Sequence, residues 1–182
     1  DVVLPSVQTY AAKSFGNGSM AMVAVSENNN ITFKNVLGGM KLQLRGTQKV
    51  KSISLQGKNN EKLSGAAVVT AYTDETKPVI AMTSGASTSV TLNCGDGVQL
   101  NESIATEFII ALPPIVFSEG FTVTVTDSSN ETYIVESDKS NEVIRSSLLV
   151  MPKITLGEIY NDDSTEDIES RKVLLLYSAA YN

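Results

Sequence analysis

From Phe121 to Asp127 the chain reads Phe-Thr-Val-Thr-Val-Thr-Asp, with apolar and hydroxyl residues alternating one for one. Side chains of an extended strand point alternately to opposite faces, so this period of two sends Phe121, Val123 and Val125 one way and Thr122, Thr124 and Thr126 the other. A helix would scatter the same residues around its circumference. Shorter runs of the same kind recur between clusters of Gly, Asn, Asp and Ser, and helical periodicity is almost absent. Many short alternating strands with one wet face each are the sequence form of an all-β sandwich or barrel.

The runs predict particular features. Ile31 to Val36, Gly38-Gly39 and Met40 to Arg45 read as a half-buried hairpin, with Met40, Leu42 and Leu44 inward and Lys41, Gln43 and Arg45 outward. In KVKSISL, Val50 sits on one parity and Ile53 and Leu55 on the other. A one-residue bulge near Lys51 and Ser52 would let all three face the core. Gly65, among small residues, suits a strand closely approached by another backbone. VIAM, TSVTLN, TEFIIAL, FTVTVTD and ETYIVES then read as a second meander. Asp127-Ser128-Ser129-Asn130 supplies turn chemistry for a hairpin, and Pro113-Pro114 ends a strand. A last strand is expected over 143–151, ending at Met151-Pro152.

The chain has 182 residues, enough for one ordinary domain and a short extension. The expected organisation is an extended N-terminal segment over 1–25, a sandwich over 26–156, an acidic linker over 157–170 and an apolar strand over 171–182. The formal charge is −6, with basic residues scattered singly among acidic ones, which argues against nucleic acid as a partner. No apolar run reaches the roughly 18 residues that span a bilayer.

Histidine is absent, which removes Ser-His-Asp and Cys-His nucleophile arrangements and the usual zinc and iron sites. No Ser-x-x-Lys and no phosphate-binding Gly-rich motif follows a strand. The expectation is therefore no catalytic residue, no metal and no cofactor. The single cysteine, Cys94, is in phase with Val90 and Leu92 and reads as a small buried hydrophobe. Asp162, Asp163, Glu166, Asp167 and Glu169 read as a solvated linker; their spacing fits no twelve-residue calcium loop. Tyr10, Tyr72, Tyr133 and Tyr160 are candidate sugar platforms, set against the alternative of rings packing at strand ends. Asn17, Asn101 and Asn130 stand in N-glycosylation sequons.

Val173, Leu174, Leu175, Leu176 and Tyr177 are the candidate partner-strand residues. An apolar strand on a polar tether can pair within its own sandwich, fill another subunit's open sheet edge, or begin a further domain. All three readings stay open on the residues alone.

Taken in order, ITFKNVLGGMKLQLRGTQKVKSISLQG, EKLSGAAVVTAY, TEFIIALPPIVFSEGFTVTVTD and VIRSSLLVMPKI resemble the fimbrillin-like domains of Bacteroidales surface proteins, type V pilin-related, over roughly Val7 to Leu156. The resemblance implies a transthyretin-like or immunoglobulin-like antiparallel sandwich with Greek-key connections. It implies non-catalytic work in adhesion or in a fimbrium, on an exported lipoprotein of the outer membrane whose lipid anchor is absent from this chain. Partners would be other pilus or surface subunits, joined by strand addition, or host or microbial surface ligands. One sandwich is expected here where such pilins commonly have two, and the first arginine is Arg45. RKVLLLYSAAYN is in addition similar to the opening strand of the peptidase domain of clostripain-like surface proteins. The alternatives to a fimbrial subunit are thus an accessory module of a surface hydrolase and a glycan-binding module.

Overall fold

The computed structural model describes residues 1–157 and the strand 173–175. Every regular element among them is a strand. The largest sheet has six strands in the order β16-β13-β12-β6-β9-β2. These are β2 (Val7–Thr9), β6 (Lys49–Gly57), β9 (Ser89–Gln99), β12 (Phe121–Asp127), β13 (Thr132–Ser137) and β16 (Val173–Leu175). A second sheet is β10-β5-β15, built from β5 (Gly38–Arg45), β10 (Thr106–Leu112) and β15 (Leu148–Thr155). The two sheets enclose one core. Phe108, Phe121, Leu42, Ile53 and Leu55 are all fully buried in it, and Phe117 meets Phe121 edge-on at 5.4 Å. The molecule is an all-β sandwich.

A third sheet, β1-β7-β8, comprises β1 (Val2–Leu4), β7 (Gly65–Thr70) and β8 (Val79–Met82). With the segment carrying Phe15 and Met20 it encloses a smaller cluster around Leu4, Val36, Leu37 and Ala111. Two short ribbons complete the fold: β3 (Met22–Val23) with β4 (Lys34–Asn35), and β11 (Ile115–Phe117) with β14 (Asn141–Val143).

The bulge is where the alternation requires it. β6 shifts register against β9 between Val50 and Ser52 and against β12 between Thr126 and Asp127, so Lys51 is the extra residue. Val50, Ile53 and Leu55 are consequently all at 0% exposure. β12 alternates buried and half-buried along its whole length, and Asp127 Oδ1 accepts the N–H groups of Ser129 and Glu131 to close the β12–β13 turn. Gly65 has a φ of +106°, and a Cβ on it would lie 3.2 Å from Ala86 Cα.

Three sequence expectations are corrected. Gly38 and Gly39 are not a hairpin turn. They open β5, the central strand of its sheet, antiparallel to β10 and parallel to β15. Glycine is required there because a Cβ would stand 2.2 Å from Ile144 O at Gly38 and 2.7 Å from the Phe15 ring at Gly39. Ile31 and Phe33 accordingly stay outside, each 62% exposed. The second meander is not one sheet either: β8, β9 and β10 belong to three different sheets, and of these strands β12 and β13 pair as sequence neighbours. Alternation specifies which face is wet, not which strand lies alongside. The last strand runs through Pro152 to Thr155, which is possible because β15 is an edge strand with its register interrupted between Val150 and Lys153.

Residues 1–25, expected as an extended segment ahead of the sandwich, supply strands to it. Val2–Leu4 pairs with β7, and after Pro5 the chain changes sheet so that Val7–Thr9 pairs in parallel with β9.

Candidate functional site: the edge of the six-stranded sheet

An edge strand presents unpaired N–H and C=O groups, and with them a template for another strand. In the six-stranded sheet β2 is one edge. At the other, β13 is covered by β16, which runs parallel to it with Val173 beside Ile134, Leu174 beside Val135 and Leu175 beside Glu136. β13 spans six residues and β16 three. Among the described residues, Thr132, Tyr133 and Ser137 have no β16 residue alongside. Leu176 and Tyr177 lie outside the described residues, as does most of the segment 157–170.

β13 is held firmly from inside. Tyr133 and Val135 are 3% and 0% exposed and point into the core. The Tyr133 hydroxyl donates to Glu131 Oε2 at 3.0 Å, and burial raises its pKa above the ordinary value. On the opposite face Glu136 accepts from Thr122 Oγ1 at 3.2 Å and lies 3.7 Å from Lys58 Nζ, which also pairs with Asp138. These exposed pairs fix the orientation of Glu136 at the edge and contribute little to stability.

At the other edge β2 carries a residue the sequence reading passed over, and its side chain ties β2 to the facing sheet. Gln8 on β2 is 4% exposed; its Nε2 donates to Ala111 O at 2.8 Å and its Oε1 accepts from Ala111 N at 2.9 Å. Ala111 is on β10, the edge of the facing sheet, so one side-chain amide does the work of a neighbouring strand and joins the two sheets. A polar residue between Val7 and Thr9 gave no sign of this, because the partner lies 103 residues away.

The remaining candidates do not converge. Cys94 is 7% exposed, and burial pushes its thiol up to about 11, which keeps it protonated and unreactive at neutral pH. Tyr10 packs against Phe108 with ring centroids 5.2 Å apart, Tyr133 is in the core and Tyr72 is 40% exposed on a loop, so the described tyrosines form no common platform. Tyr160 lies outside the described residues, as do Asp162, Asp163, Glu166, Asp167 and Glu169. Asn101 Oδ1 accepts from the N–H groups of Ser103 and Ile104, closing its own turn, and Asn130 has a φ of 63° in the β12–β13 turn. Among the described residues no group of three or more Cys, Asp or Glu side chains is placed to hold a metal ion.

No family model and no curated protein sequence matches the chain. Among the solved structures that align with it are two that each cover 69% of its length. One is a Bacteroides ovatus protein assigned to cell adhesion, 15% identical with a TM-score of 0.43, of which 41% is covered. The other is a Bacteroides uniformis protein assigned to cell adhesion, 11% identical with a TM-score of 0.44, of which 48% is covered. The chain thus spans less than half the length of either protein.

Proposed function

We propose that this chain is a non-catalytic cell-surface domain of fimbrillin-like type, working in adhesion or in a fimbrium, whose β13 edge receives an apolar strand. The observation that carries the reading is the pairing at that edge: six residues of a firmly packed strand meet three residues of β16. Among the described residues the parallel pairing spans three positions and adds few ladder hydrogen bonds. The same strand supplied by another subunit would make identical backbone bonds, so Val173, Leu174, Leu175, Leu176 and Tyr177 are assigned to partner-strand exchange. The resemblance of the four sequence segments quoted above supports an exported outer-membrane lipoprotein as the setting of this reading. Other surface subunits are then its partners.

The test compares the full chain with a Leu174→Asp variant by size exclusion with light scattering, and measures binding of a labelled 171–182 peptide to each. Expected are concentration-dependent oligomers of the native chain and a monomeric variant that binds the peptide tightly. Monomers in both cases with no peptide bound would refute strand exchange and leave β16 as a fixed strand or the start of a following domain.

A further inference from the structure

Glu136 is the charged residue of β13, and its two flanks are matched differently. On the β12 side its register partner is Thr122, which donates from Oγ1 to Glu136 Oε1 at 3.2 Å. Lys58 Nζ lies 3.7 Å from the same oxygen and is shared with Asp138, so Glu136, Asp138 and Lys58 together leave one net negative charge at this end of the strand. Glu136 Oε2 makes no hydrogen bond among the described residues, and the side chain is 31% exposed. On the edge side the register partner is Leu175. The other two positions of β16 pair like with like, Val173 beside Ile134 and Leu174 beside Val135. Residues in register on adjacent strands stabilise a pairing when they are apolar together, hydrogen-bonded or oppositely charged. A leucine in register with a carboxylate offers no hydrogen bond in exchange for the water it displaces. Of the three positions that β16 occupies, the one beside Glu136 is therefore unmatched.

We infer that the β13 edge is specified for a strand carrying lysine or arginine in register with Glu136, so that its partner is a strand of another surface protein and Val173–Leu175 is a weaker occupant. The inference rests on the strand-exchange reading above and gives the chemistry of the donor. Along the direction of β16 that donor reads apolar, apolar, basic: an aliphatic residue beside Ile134, another beside Val135 on the core face, and the cation beside Glu136. A lysine or arginine lays its methylene stem along the strand edge and carries its charge to the open Oε2. Lys58 does not fill that place, because it is shared with Asp138 and meets Glu136 at Oε1. The new charge pair is partly exposed and partly offset by Lys58, so its effect on affinity is about two- to fivefold. Its larger role is to choose the donor and fix the register. A slip of one residue turns the cation onto the core face, where it has no partner, and a slip of two takes it beside Ile134 or past the end of β13.

The test uses the full chain with Leu174→Asp as acceptor, so that its own strand no longer competes for the edge. The donors are labelled 171–182 peptides of native sequence or with Leu175→Lys, Leu175→Glu or, as the register control, Val173→Lys. Fluorescence anisotropy gives the affinities at about 0.05 and 0.5 M salt, and unfolding midpoints show that each acceptor is folded. Expected is binding of the Leu175→Lys peptide about two- to fivefold tighter than native, with Leu175→Glu weaker by a similar factor and the difference shrinking at the higher salt. Val173→Lys gains nothing. In an acceptor that also carries Glu136→Lys, the order of the Leu175→Lys and Leu175→Glu peptides reverses. Equal binding of those two peptides by the Glu136 acceptor overturns the inference and leaves Glu136 as a charge that merely guards an edge. An advantage of Leu175→Lys that survives Glu136→Lys overturns it too, because attraction of a basic peptide to a chain of charge −6 then suffices. No binding of any peptide refutes strand exchange itself, and this inference with it.

Discussion

Replacing Gln8 with alanine removes one side chain and leaves two backbone groups stranded. Ala111 N–H and C=O are at the seam between the sheets, where Ala111 is 2% exposed and both bonds to Gln8 are buried. A buried donor or acceptor left without a partner costs about 1–3 kcal/mol, so the pair sums to about 2–6 kcal/mol. Against a total stability of about 5–15 kcal/mol, this is a large fraction for a residue with no catalytic or ligand role. Urea unfolding followed by far-UV circular dichroism, extrapolated linearly to water, measures it directly. Thr9→Ala, one position along and facing solvent, is the control and should change stability by no more than about 0.5 kcal/mol. A loss below about 1 kcal/mol in Gln8→Ala, or one equal to the control, would refute the claim that a single amide stands in for a strand between β2 and β10.

Three further outcomes are expected. Deleting Lys51 removes the bulge and forces Val50 or the Ile53 and Leu55 pair outward, costing roughly 2–5 kcal/mol in a urea titration where loss of an ordinary exposed lysine would cost little. Gly120→Ala should abolish soluble folded protein, since its Cβ would overlap Ser137 O at a φ of +83°, while Gly85→Ala, with open space around it, should leave the melting temperature unchanged. Stability should fall as pH rises from about 9 through 11, because the folded state raises the Cys94 thiol from 9.0 to about 11 and so favours its protonated form. The contribution is complete below the unfolded pKa and lost above the folded one, about 3 kcal/mol in all. Tyr10 and Tyr133, also raised by burial, add to the same alkaline loss. In Cys94→Ala the thiol's share disappears and theirs remains, which a pH series of thermal melts resolves.

Much of the local structure is legible in the residues, because alternation is a direct consequence of strand geometry. Phe121, Val123 and Val125 had to share a face, and the change of parity between Val50 and Ile53 required an extra residue between them. Cys94 was legible as a buried thiol from its phase with Val90 and Leu92. The strands' neighbours were not legible. Gly38-Gly39 carries the composition of a turn and the structure uses it for close approach inside a central strand, because the Phe15 ring and the Ile144 carbonyl come from segments far along the chain.

What the sequence by itself determined is therefore the main alternating strands, their inward faces, the bulge and the exclusion of histidine chemistry, all properties of a residue and its near neighbours. The tertiary structure decided the pairing order, the tie from Gln8 on β2 to the β10 backbone and the covering of the β13 edge by Val173–Leu175. Each of these depends on register between strands distant in sequence. Burial fixes register only once the two sheets have closed on their common core.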